Sequence, residues 1–115
     1  MNLREFLKEN RVYLDGGMGT LLQAKGLKAG ELPERWNITH PDIIKDIHKA
    51  YFEAGSNIVC ANTFGANPLK FSDDELEKII SAAIKNAKDA IAETGNSENK
   101  FVALDIGSLG KLLKP

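Results

Sequence analysis

"SNIVCAN", residues 56–62, is the stretch whose reading decides the fold. Ile58, Val59, Cys60 and Ala61 run consecutively, with polar Ser56 and Asn57 before them and Asn62 after. A short apolar run with β-branched content and polar flanks predicts a strand. The apolar residues do not alternate with polar ones, so both faces must be covered, as in a parallel strand between helices.

Helical patterns lie on both sides. Upstream, "THPDIIKDIHKAYFEAG" (39–55) keeps a stripe of Ile43, Ile44, Ile47, Ala50, Tyr51 and Ala54. Thr39 or His40 can cap it, Pro41 suits the first turn, Asp42 complements the dipole and Gly55 supplies a stop. Downstream, "SDDELEKIISAAIKNAKDAIAETG" (72–95) places Leu76, Ile79, Ile80, Ala83, Ala87, Ala90 and Ile91 on one face. Ser72 with Glu75 forms a capping-box pattern, and Gly95 ends the run.

Further out, "RVYLD" (11–15) and "KFVALDIG" (100–107) read as two more buried strands. A short helix from about Thr20 to Lys25 and an amphipathic turn around Leu3, Phe6 and Leu7 complete the pattern. The order is β-α-β-α-β, with helices long enough to cross over between parallel strands. Segment 26–38 is the longest irregular stretch; it holds the single Trp and is either a surface loop or part of a pocket rim.

At 115 residues the chain is about one domain long. Its 15 Lys and Arg nearly balance 16 Asp and Glu, so no strong field draws it to nucleic acid or a membrane surface. No apolar stretch approaches a membrane span, and "MNLREFLKEN" lacks the apolar centre of a signal peptide, so a cytoplasmic location is the default expectation. One cysteine, Cys60, excludes an internal disulfide framework. With His40 and His48 as the only imidazoles, no metal-ligand spacing is evident.

Each predicted strand ends in polar groups: Asp15, then Asn62 and Thr63, then Asp105. Parallel strands joined by helices bring those ends to one face, where α/β folds bind ligands. The turn "DGGMGT" (15–20) admits several readings. It can be a tight βα turn; it lacks the third glycine of a dinucleotide fingerprint and the Lys of a P-loop. It can also present bare backbone beside the Asp15 carboxylate, a pairing that suits a zwitterion. In "ANTFGAN" (61–67), Asn62 and Thr63 either close a strand or line a site, with Phe64 as an aromatic wall beside Gly65. "DIGSLG" (105–110), taken alone, reads as another βα turn. Cys60 is read as a small core residue, His48 as a packed or half-exposed helical His, and His40 as helix-entry chemistry.

The ordered set "LDGGMGT", "ELPERWNITHPDIIKDIHKAYFEAGSNIVCANTFGAN" and "ALDIGSLGKLLKP" resembles the start of the homocysteine S-methyltransferase domain. It is most similar to the branch found at the N-terminus of cobalamin-dependent methionine synthases. The resemblance covers nearly the whole chain and implies the N-terminal portion, about three βα units, of a (β/α)₈ barrel. Residues 1–115 would then be part of a homocysteine-binding domain, with the remaining strands and the cobalamin and folate domains as its partners in the parent protein. The family reaction moves a methyl group to homocysteine held as a thiolate on zinc. In this branch the donor is methylcobalamin, recharged from methyltetrahydrofolate.

Carried over by position, Asp15 and Gly16 match the first-strand motif near the amino acid substrate, and Asn62, Thr63 and Phe64 match the Asn-Thr-Phe motif. Asp105 sits at the matching third-strand end, followed by "GSLG" where relatives commonly carry Gly-Pro-x-Gly. The family's zinc thiolates come from cysteines later in the barrel; none can be placed on this sequence, so no metal ligand or catalytic residue is assigned here. By this reading the chain alone is inactive. The alternatives are a cobalamin-independent member that uses S-methylmethionine or a betaine, and a non-catalytic α/β module that binds a small amino acid.

Overall fold

The structure, a computed structural model, describes residues 3–9, 11–95 and 99–104. Its elements run α1 (Leu3–Glu9), α2 (Gly19–Ala24), a 3₁₀ turn (Pro33–Arg35), α3 (Trp36–Thr39), α4 (Pro41–Glu53), β1 (Ile58–Ala61), α5 (Asp73–Thr94) and β2 (Phe101–Leu104). The two strands pair in parallel, with Ile58 opposite Phe101 and Ala61 opposite Leu104. The 22-residue α5 makes the crossover between them.

The expected strand at 11–15 is reduced to a single parallel bridge, Leu14 to Ile58. The segment still runs beside β1: Tyr13 O accepts from Asn57 N at 2.7 Å, and Asp15 N donates to Ile58 O at 3.0 Å. Tyr13 and Leu14 are 58% and 65% exposed, so no packing flattens these residues into a longer ladder. The described sheet therefore has two strands rather than the three expected, with β1 lying between the 11–15 segment and β2.

The helix ends follow their local chemistry. Ser72 Oγ accepts from Glu75 N at 3.3 Å, and Gly95 closes α5 at φ +73°, a backbone conformation that costs a side-chain-bearing residue more than glycine. Pro41 opens α4; His40 precedes it without a side-chain cap, its Nδ1 lying 2.7 Å from Thr39 Oγ1.

Two apolar clusters meet at Tyr51. Leu22, Leu27, Trp36, Ile44 and Ile47 pack α2 and the 26–38 segment onto one side of α4. Phe52, Val59, Ala87 and Ala90 fill the space between α4, β1 and α5. Ala83, Ala87 and Ala90 are fully buried, and their small side chains let α5 lie close against its neighbours.

The buried face of α4 is rotated from the stripe read in the sequence. Ile44, Ile47, His48 and Phe52 point inward, whereas Ala50 and Ala54 are exposed. His48 is 0% exposed, and neither ring nitrogen has a hydrogen-bond partner among the described residues. Burial alone pushes its pKa down to about 4. On α5, Asn86 joins the buried face that the sequence assigned to apolar residues only. No helix among the described residues is long and apolar enough to cross a membrane.

Candidate functional site

The C-terminal end of β1 and the end of the 11–15 segment open onto one cleft of about 370 Å³. That volume lies within the range of small-molecule sites. Asp15, Gly16, Gly17, Met18 and Gly19 line one wall, and Cys60 to Phe64 line another. Pro33 and Glu34, from the 3₁₀ turn, complete the lining.

Asp15 is fixed to the strand it faces: its Oδ2 accepts from Cys60 N at 3.0 Å. Gly16 is glycine for a steric reason. A Cβ there would stand 2.8 Å from Tyr51 Oη and within 3.3 Å of the ring, closer than ordinary contact. With no side chain in the way, the Tyr51 hydroxyl donates to Gly17 O at 2.8 Å and holds the glycine turn against α4. The Tyr51 pKa is raised, first by burial and then by the negative charge of Asp15.

The opposite wall is held by buried amides. Asn62 Nδ2 donates to Pro33 O at 2.9 Å and to Asn37 Oδ1 at 3.0 Å. Asn37 Nδ2 returns a bond to Asn62 O at 2.8 Å and reaches Ile79 O at 3.3 Å. Asn86 Nδ2, from α5, donates to Asn37 O at 3.0 Å. Both N–H groups of the Asn62 amide are therefore engaged with protein, and its side chain ties β1 to the 3₁₀ turn. A buried, mutually satisfied network of this kind fixes geometry, because leaving any member unpaired costs its full desolvation.

After Asn62 the chain turns. Ala66 N donates to Thr63 O at 3.0 Å, and the Thr63 hydroxyl donates to Ala61 O at 3.3 Å. Asn67 Oδ1 accepts from Leu69 N at 3.0 Å, an Asx turn that fastens the far end of the loop. Phe64, 59% exposed, stands at the cleft as an uncovered aromatic surface.

Of the site residues expected from sequence, Asp15, Gly16, Asn62, Thr63 and Phe64 all line this cleft, while Asp105 lies outside the described residues. Cys60, expected in the core, is only partly buried and lines the cleft. Its strand position leaves it at the polar end of the sheet. Glu34 carries no distinct sequence signal; its only cue is its place in the 26–38 segment, one candidate for a pocket rim. Trp36, from the same segment, is instead 4% exposed and belongs to the core.

The zinc that the resemblance implies does not fit the described residues. No three His, Cys, Asp or Glu among them are grouped to hold a metal ion, and one thiol with carboxylates at other walls of the cleft does not make a thiolate site.

The geometry defines an α/β chain with a cleft, lined by both apolar and polar side chains, at the carboxyl ends of parallel segments. The sequence profile of the homocysteine S-methyltransferase family matches residues 12–115, and the chain belongs to that family. It is 33% identical over 119 aligned positions to the methionine synthase of Mycobacterium tuberculosis, covering 95% of this chain and 10% of that protein. Its fold is similar to that of the homocysteine methyltransferase MmuM from Escherichia coli. The metallated form aligns with a TM-score of 0.79 at 23% identity, covering 94% of this chain and 42% of that one. The oxidised form gives 0.74 at 24% identity, covering 91% and 40%. The chain thus spans a tenth of the length of the methionine synthase and about two-fifths of the solved chains.

Proposed function

We propose that residues 1–115 form the N-terminal portion of a (β/α)₈ barrel and supply the part of its site that holds the amino-acid end of homocysteine. One observation carries this reading. Asp15 with bare glycine backbone, and Asn62 to Phe64 behind β1, face one cleft in a chain of this family. The cleft offers carboxylates for an ammonium group and the N–H groups of Gly16 and Gly17 for a carboxyl group. Phe64 offers an apolar surface for the methylene stem.

The reaction transfers a methyl group to the substrate sulfur, with methylcobalamin recharged from methyltetrahydrofolate as the donor. Likeness to a methionine synthase supports that choice of branch. Zinc, held by thiolates beyond this chain, would keep the substrate thiol deprotonated near neutral pH. The residues here bind and orient; the sulfur chemistry belongs to the part of the site that this chain does not supply.

The test is calorimetric titration of L-homocysteine into the full-length protein, with any chain beyond Pro115 in place, for wild type and Asp15→Ala. Loss of a charged hydrogen bond should weaken binding by about 1.5–3 kcal/mol. Unchanged affinity would refute the assignment of Asp15.

A further inference from the structure

The wall of the cleft at Gly16–Gly19 is unusually free. Gly16, Gly17 and Gly19 all line it, and none of them has a positive φ. A Cβ added at Gly17 or Gly19 would meet nothing within 4 Å. At those two positions, then, neither a left-handed backbone nor a close neighbour demands glycine. What the glycines bring is torsional freedom, and a turn that free does not hold its own peptide planes. They must be fixed from outside.

The contact that fixes them comes from α4. Tyr51 Oη donates to Gly17 O at 2.8 Å. The ring is itself held in place, because it packs against both apolar clusters and lies where a Cβ on Gly16 would otherwise stand. Burial, and then the charge of Asp15, raise the pKa of the hydroxyl, so it stays a donor at neutral pH. The described chain has no cis peptide, and in a planar trans peptide the Gly17 carbonyl and the Met18 N–H point opposite ways. Gly17 and Met18 line the cleft, whereas Tyr51 lies outside its lining. The bond draws the carbonyl toward α4 and turns the Met18 N–H to the cleft side. Flipped, the same peptide would aim a carbonyl oxygen at the occupant and repel an anion.

We propose that Tyr51 is a positioning residue, whose hydroxyl holds the Gly17–Met18 peptide in the orientation that lets the cleft accept a ligand carboxylate. This rests on the reading of the cleft as a homocysteine site. It adds a residue that touches no ligand and acts through the backbone of the turn.

The experiment compares L-homocysteine with 3-aminopropane-1-thiol, the same molecule without its carboxylate, by calorimetry on the full-length protein. Three forms are used: wild type, Tyr51→Phe and Ser56→Ala. Ser56 Oγ donates to Leu14 O at 3.2 Å, a second tie between the region of α4 and the 11–15 segment, but one outside the glycine turn. Wild type should prefer homocysteine. Tyr51→Phe keeps the ring and removes only the hydroxyl; it should lose about 5- to 20-fold in homocysteine affinity and leave the analogue within about twofold. Ser56→Ala should keep the wild-type ratio of affinities even where urea unfolding shows it less stable.

An unchanged ratio in Tyr51→Phe overturns the proposal, and so does an equal loss for both ligands, which marks a purely structural role. A ratio that falls as far in Ser56→Ala also overturns it, as does equal affinity of wild type for the two ligands. Should Tyr51→Phe fail to fold, the ¹⁵N-labelled wild type decides. Its Met18 amide resonance must shift with homocysteine and not with the aminothiol, and no shift, or the same shift with both, overturns the proposal. Failure of wild type to bind homocysteine at all would instead remove the reading of the cleft on which it rests.

Discussion

Lowering the pH from 7.5 to 4 should remove about 3 kcal/mol of folding stability through His48 alone. The ring is fully buried without a hydrogen-bond partner among the described residues, and burial lowers its pKa from 6.5 to about 4. Below pH 6.5 the unfolded chain takes up a proton that the folded chain refuses until about pH 4. The unfolded state thus binds more protons across that window, and stability falls as the pH falls through it. Every pH unit separating the folded and unfolded pKa values is worth about 1.4 kcal/mol, which sets the total near 3 kcal/mol. Above pH 6.5 the contribution is fully present, and below about pH 4 it is fully lost.

The assay is urea unfolding of the wild-type chain and His48→Leu, followed by helical circular dichroism at steps between pH 7.5 and 4. Other acids, including Glu93, whose pKa is lowered by its bonds to Lys45, titrate in both proteins and cancel in the difference. At pH 7.5 the leucine variant should be at least as stable, because it removes two buried nitrogens that have no partner among the described residues. The gap between the two should then widen by about 3 kcal/mol on acidification. Parallel curves, differing by less than about 1 kcal/mol in their pH dependence, would refute the reasoning.

Three further outcomes are expected. Asn37→Ala should destabilise the chain by about 2–4 kcal/mol in urea unfolding, since it strips partners from the Asn62 side chain and carbonyl at once. Gly16→Ala should displace Tyr51 and cost about 1–3 kcal/mol, with loss of the Tyr51–Gly17 hydrogen bond visible in a crystal structure of the variant. The isolated 115-residue chain should show no methyl transfer with zinc, homocysteine and methylcobalamin. It should also self-associate in sedimentation, because Tyr13, Leu14 and Leu104 leave apolar surface uncovered along the sheet.

Local signals were legible in the sequence wherever a local cause decides the structure. Ser72 and Gly95 bound α5 as their capping chemistry requires, and the consecutive apolar residues at 58–61 form a parallel strand. The convergence of Asp15 with Asn62, Thr63 and Phe64 followed from topology, since parallel segments share one carboxyl end. What escaped depends on contacts between distant residues. Asn37 and Asn86 look like surface amides until the chain folds across a separation of 49 positions and Asn86 meets the Asn37 carbonyl. Glu34 sits against Gly65 across a separation that no periodicity records. His48 displaced alanines from the inner face of α4 because Ile44, Ile47 and Phe52 set the rotation of the helix. The 11–15 segment has strand composition, but with Tyr13 and Leu14 uncovered it makes only one bridge.

The most direct test of the homocysteine site is a crystal structure of the full-length protein with L-homocysteine bound. The ligand's amino and carboxyl groups should lie in the cleft between the Asp15–Gly17 turn and Asn62–Phe64, with its sulfur directed away from this chain's residues. Homocysteine bound elsewhere, with that cleft empty, would contradict the account.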